Sequence, residues 1–196
     1  MKKQKQFLRN VVMIMACLAV TVVFSNCDSG NSGNSGSKKM DVIKASQLIS
    51  KAEAEDILEL NVTETEIKKS YFTDEVAYRT AKFYFPIALW QESLHDKTSD
   101  YEKNLLKNGW KSYLKDMEKN LSEGQEVVNV GDGKAYLQDA YGVLMIHIFY
   151  DDFLIQLSLI NVPYTHEDTD DEAVWKRAKI KEAGTLAVKN LKSILK

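Results

Sequence analysis

The chain has 196 residues, 44% of them hydrophobic and 28% charged, an ordinary composition for a soluble domain once the ends are set aside. Without the first 26 residues, which hold Lys2, Lys3, Lys5 and Arg9 and no acid, 22 basic and 28 acidic residues remain, a net charge of −6. A body of that sign has no overall attraction for nucleic acid. Cys17 and Cys27 are the only cysteines, which excludes a disulfide, a thiolate metal site and a thiol nucleophile beyond residue 27.

The four cations precede Val11 to Phe24, a 14-residue run interrupted only by Thr21. A membrane-spanning helix needs about 20 apolar residues, so this run has the size of a signal-peptide core. Its basic flank keeps the N-terminus in the cytoplasm and sends the body outward. Phe24-Ser25-Asn26-Cys27 resembles the lipobox of bacterial lipoproteins, in which a large apolar residue at −3 and a small one at −1 precede a cysteine that is diacylated and becomes the new N-terminus. Phe24 stands here for the usual Leu, and Asn26 for the usual Gly or Ala. The resemblance implies a signal peptide over residues 1–26, lipidation at Cys27 and attachment to a membrane through a lipid anchor. The body is then extracytoplasmic, periplasmic or surface-exposed, in the bacterial cell envelope. Cys17, preceded by Met15 and Ala16, matches the −1 preference better, but lipidation there would leave an apolar core of only six residues, Val11 to Ala16.

Residues 27–43 read as the lipidated cysteine and a flexible Gly/Ser/Asn tether. The tract Asp28 to Lys39 has no apolar side chain to offset the entropy of ordering. As a flexible coil, the stretch from Asp28 to Met40 spans roughly 20 Å r.m.s..

Residues 44–196 read as a single domain. Ser50-Lys51-Ala52-Glu53 is a capping box that opens a short helix to about Leu60. Lys69–Thr73 and Val76–Trp90 read as a strand pair. Ser99-Asp100-Tyr101-Glu102 is a second box, followed by Tyr101, Leu105, Trp110, Tyr113, Leu114, Met117 and Leu121 at helical spacing, so one amphipathic helix is expected up to Gly124. Val127–Val130 and Ala135–Gln138 flank a turn at Gly131-Asp132-Gly133. Gly142 to Asn161 alternates with period two and predicts a hairpin turning at Asp151-Asp152. That register pairs Tyr150 with Phe153, Ile148 with Ile155, Ile146 with Leu157 and Leu144 with Leu159, all apolar and facing the core. The opposite face pairs Phe149 with Leu154, His147 with Gln156 and Met145 with Ser158; it is mixed, and a hydrogen-bonded or half-exposed His147 is expected. Thr169-Asp170-Asp171-Glu172 is a third box, and its helix buries Ile180, Ala183, Ala187, Leu191 and Ile194 on one stripe. This order predicts an α+β fold: an antiparallel sheet of hairpins and meanders with helices packed mainly on one face.

Gly131, Asp132, Lys134, Ala135 and Tyr136, once Gly133 is counted as inserted, match the Gly-Asp-x-Ala-Tyr hairpin start of a group of uncharacterised bacterial lipoproteins. The body resembles them in order of elements over about residues 45–195. The resemblance implies an exported α+β domain and transfers no catalytic residue.

The run His166 to Glu172 holds five carboxylates in seven residues, and Asp168, Asp170 and Glu172 are its candidate cation ligands. It lacks the sixth-position Gly and twelfth-position Glu of an EF-hand loop, and acids at a helix start also complement the helix dipole. His95, His147 and His166 are too scattered to predict a zinc site. Gly131-Asp132-Gly133 fails the spacing of a phosphate loop. Asn61-Val62-Thr63 and Asn120-Leu121-Ser122 have the form of glycosylation acceptors, incidental in a bacterium. Tyr78, Tyr84, Met145 and Phe149 would form an apolar binding surface if they shared the sheet face away from the helices. No cofactor and no catalytic residue is assigned. The expected function is a non-catalytic binding or interaction module whose partner is an envelope protein or a small apolar ligand. The alternatives are a carrier of lipid or another hydrophobic ligand, and a hydrolase with no recognisable motif.

Overall fold

The structure, a computed structural model, describes residues 42–70, 72–95, 98–140, 142–164 and 168–196. The leader, Cys27 and nearly all of the tether lie outside the described residues, as do Tyr71, Tyr141, His166 and Glu167. The α+β expectation holds. Helix α1 (Lys51–Leu58) leads into a three-stranded meander: β1 (Glu64–Ser70), β2 (Thr73–Arg79) and β3 (Phe83–Trp90). Helices α2 (Asp100–Leu105) and α3 (Trp110–Ser122) follow. The chain continues through β4 (Glu126–Val130), β5 (Gly133–Ala140), β6 (Val143–Tyr150) and β7 (Phe153–Asn161), and ends in α4 (Asp170–Ile194). All seven strands form one antiparallel sheet in the order β1-β2-β3-β7-β6-β5-β4.

The hairpin register is the one the alternation demands. Tyr150 opposes Phe153, Ile148 opposes Ile155, Ile146 opposes Leu157 and Leu144 opposes Leu159. These residues face α4 and α1, and join Val76, Tyr78, Phe85, Ile87, Leu89, Val130 and Leu137 in the main core. From α4 come Ile180, Ala183, Ala187, Val188 and Leu191, while Ile194, expected on the same stripe, is 38% exposed because the helix outruns the sheet there. Gly184 sets the depth of the helix. A Cβ at this position would lie 2.9 Å from Ile148 Cδ1 and 3.2 Å from Val130 Cγ1.

Several local readings change. The first meander has three strands because Thr80 makes a turn that contains no Gly, Asn or Pro. The Thr80 hydroxyl accepts the N–H groups of Lys82 and Phe83 at 3.3 and 2.9 Å and donates to Phe83 O at 3.2 Å. Lys69 and Thr73 sit on opposite sides of a second turn, where Ser70 pairs with Thr73. The helix expected from residue 101 to 124 is two helices, because Gly109, at φ +86°, breaks the chain direction before Trp110. Ser99 caps Glu102 N–H, but the Glu102 carboxylate turns inward instead of closing a capping box. The boxes at Ser50 and Thr169 are both closed. Ile43, read as the last tether residue, is a core residue: its N–H and C=O meet Gln91 Oε1 and Nε2 at 2.9 and 2.6 Å.

The main core gives a direct test. Ile146 is fully buried between α4 and the sheet. Ile146→Ala leaves a cavity, and denaturant unfolding should report a loss of ~2–5 kcal/mol. A loss below ~1 kcal/mol would place Ile146 outside a packed core.

Candidate functional site

At one end of the sheet face away from α4 and α1 a helix packs on the strands. There α3 lays Trp110 and Leu114 on Phe72 and Leu154, with Trp90, Tyr113, Met117 and Phe149 around them. Polar contacts hold the helix down. Trp110 Nε1 donates to Asp152 O at 2.7 Å, and Glu118 Oε1 accepts from Lys134 Nζ at 2.7 Å and from the Tyr136 hydroxyl at 3.0 Å. The Lys134 ammonium, which makes the shortest of these bonds, keeps the Glu118 carboxyl below its ordinary range.

Beyond α3 the same face continues in register. One row across the sheet carries Ala88 of β3, Gln156 of β7, His147 of β6 and Tyr136 of β5. The next carries Met145 between Ser158 and Gln138, and Ile160 lies beside Tyr84 and Val143. Tyr84, Met145 and Phe149 therefore share this face, as expected. Tyr78 does not. It points into the main core, where its hydroxyl donates to Ile49 O at 2.8 Å and burial pushes its pKa up to about 12.

His147 is only 7% exposed, so of the two states expected on this mixed face the half-exposed one is not found. Alternation places it on that face correctly, but it cannot show how deeply the ring is buried there. Burial lowers its pKa to about 4, so the imidazole is neutral at pH 7. Its Nδ1 and the nearby Gln138 Oε1 are buried with no hydrogen-bond partner. Gln156 Nε2 reaches only the Met145 sulfur, at 3.2 Å. A neutral imidazole and two amides among Ala88, Met145, Ser158 and Ile160 can hydrogen-bond an uncharged group lying against the sheet.

The β1–β2 side of this face is charged. Glu66 meets Lys68 at 2.7 Å and Arg79 at 4.0 Å, and the Arg79 guanidinium lies 5.2 Å from the centre of the Tyr84 ring. Glu75, opposite Lys68, has its carboxyl pushed up by burial, with Lys68 pulling it back.

Of the acidic run, the structure describes Asp168 to Glu172. Asp168 closes a buried clasp with Lys176, a residue on the inner face of α4 that the stripe reading missed. Lys176 Nζ donates to Asp168 Oδ2 at 2.8 Å, Asn161 Oδ1 at 3.0 Å and Gly142 O at 3.4 Å, and Asn161 Nδ2 donates to Asp168 Oδ1 at 2.8 Å. Glu172 accepts the Thr169 N–H in the capping box, and Asp170 opens the helix. Among the described residues no three His, Cys, Asp or Glu side chains converge to hold a metal ion. His95 stacks near Phe72, with Nε2 3.8 Å from the buried Glu102 carboxylate. The space between α4 and the sheet is filled by core side chains. An open hollow of about 650 Å³ lies on the outside, between Tyr150, Asp151, Lys192, Leu195 and Lys196. No helix among the described residues is long and apolar enough to cross a membrane.

The buried ring predicts a pH dependence. Because the folded pKa of His147 lies below the ordinary 6.5, the unfolded chain binds the proton first. Its contribution is intact above pH 6.5, declines as the pH falls towards 4, and reaches a deficit of up to about 3 kcal/mol. The stability difference between His147→Gln and wild type should therefore shift in favour of the variant across that window. Parallel curves would contradict a buried neutral ring.

No protein-family model, curated protein or solved structure matches the chain.

Proposed function

We propose that this chain is a lipid-anchored, non-catalytic binding module of the bacterial cell envelope, held at Cys27, with the partly open sheet face as its binding surface. The observation that carries the reading is the pair of buried, unpartnered polar atoms on that face, His147 Nδ1 and Gln138 Oε1. Buried polar groups are normally satisfied, and an unsatisfied one forfeits about 1–3 kcal/mol that a partner restores. Around them lie Ala88, Met145, Gln156, Ser158 and Ile160, so the face suits an apolar surface that carries hydrogen-bonding groups, supplied by an envelope protein or a small ligand. A flexible tether lets such a surface search the neighbourhood of the bilayer. A carrier would need an enclosed apolar cavity, whereas the space between α4 and the sheet is packed.

The test has two arms. Labelled fatty acid should mark the wild type and Cys17→Ser, and leave Cys27→Ser unmarked. A photoreactive residue in place of Ala88 or Gln156 should capture an adduct in intact cells, while the same residue at Lys181, on the outward side of α4, should not. Label retained in Cys27→Ser overturns the anchor. Equal adducts from α4 and the face overturn the binding surface.

A further inference from the structure

Strand β1 lies at one edge of the sheet, and six of its seven residues are exposed. At its centre Ile67 presents a side chain that is 69% exposed, among the most open of the large apolar residues. The charges around it are divided by sign. Glu64 and Glu66 precede Ile67, and Lys68 and Lys69 follow it. Edge strands are commonly protected by charge of one sign, which repels any added strand. A strand acidic at one end and basic at the other protects itself differently: it repels a parallel copy and attracts an antiparallel one.

We propose that β1 pairs antiparallel with β1 of a second copy about a two-fold axis through Ile67, joining two seven-stranded sheets into one. With that centre Ile67 opposes Ile67, Glu66 opposes Lys68, Thr65 opposes Lys69 and Glu64 opposes Ser70. No like charges meet.

Backbone geometry agrees with the same centre. The two-residue turn after Ser70 closes on the Ser70–Thr73 pair, so Ser70, Lys68, Glu66 and Glu64 direct their N–H and C=O groups toward β2. Lys69, Ile67 and Thr65 direct theirs to the open edge. In the proposed register those three residues face one another in hydrogen-bonded pairs, giving six inter-chain bonds. The contact is isologous and closes after two copies, leaving β4 as the outer edge on both sides. β4 is the poorer candidate: it has five residues, and its only charge, Glu126, meets no opposite charge in a self-pairing about Val128.

The experiment uses the full chain expressed in a bacterial host, with membranes treated by a short thiol-to-thiol crosslinker. The wild-type chain, carrying only Cys17 and Cys27, is the blank. Ile67→Cys should give a covalent dimer well above the blank, because only a two-fold centred there brings the residue to itself. Thr65→Cys and Lys69→Cys should each fail alone, since two-fold copies of either lie about 14 Å apart, and should crosslink when the two chains are co-expressed. Adding Lys68→Glu and Lys69→Glu to Ile67→Cys should abolish the dimer. Co-expression with a chain carrying Glu64→Lys, Glu66→Lys and Ile67→Cys should restore it. Glu66 is half-buried and the others are exposed, and none belongs to the core cluster, so the swaps leave the core intact. The proposal is overturned if Ile67→Cys crosslinks no better than Val127→Cys on the β4 edge, or if the all-acidic β1 still dimerises.

Discussion

The pairing of β3 with β7 is the contact on which the rest of the architecture rests. Every other strand pair joins sequence neighbours, and only this one connects the first meander to the second. Phe83 meets Asn161, Ile87 meets Leu157 and Leu89 meets Ile155, so the two strands bring their apolar residues to the same core face. Pro86 sits in the middle of this seam and has no N–H to give, an unusual residue for a central strand. The ladder is recorded on both sides of it, at Tyr84–Ile160 and at Ile87–Leu157. What holds the seam is therefore burial as much as hydrogen bonding. The helical layer braces it from above: α4 stacks Trp175 on Phe83 of β3 and holds the segments flanking α1, where Lys179 meets Glu59 at 2.6 Å and Asn190 Nδ2 donates to Leu48 O at 2.9 Å.

The parts of this arrangement that could be read from sequence are those whose signal is local. The Gly142–Asn161 hairpin was readable because eight apolar residues agree on one register and a one-residue slip would scatter them. The closed capping boxes at Ser50 and Thr169 are set by residues three apart. The turn at residues 80–82 was not readable, because a single threonine hydroxyl replaces the usual turn residues there. Nor did periodicity reveal that Gly109 splits the second helical region, since the apolar spacing continues on both sides of the break.

The candidate surface was half readable for the same reason. Alternation assigns Met145, His147 and Phe149 to one face, and the β3–β7 pairing adds Tyr84 to it. What covers a face depends on contacts distant in sequence, such as Trp110 to Asp152 and Glu118 to Tyr136, which bring α3 onto the sheet beside Phe149. Asp168 illustrates the converse. In sequence it belongs to an acidic run and suggests a cation; in the fold its cation is the Lys176 ammonium.

If the β3–β7 seam makes two meanders into one cooperative body, native-state hydrogen exchange measures that directly. The account predicts that β3 and β7 amides such as Ile87, Leu89, Ile155 and Leu157 exchange only through global unfolding. Protected amides of β2 and β6 should merge with them onto one denaturant-dependent limit. Exchange of one meander at markedly lower denaturant, with the other still protected, would contradict it and make the two halves separate folding units.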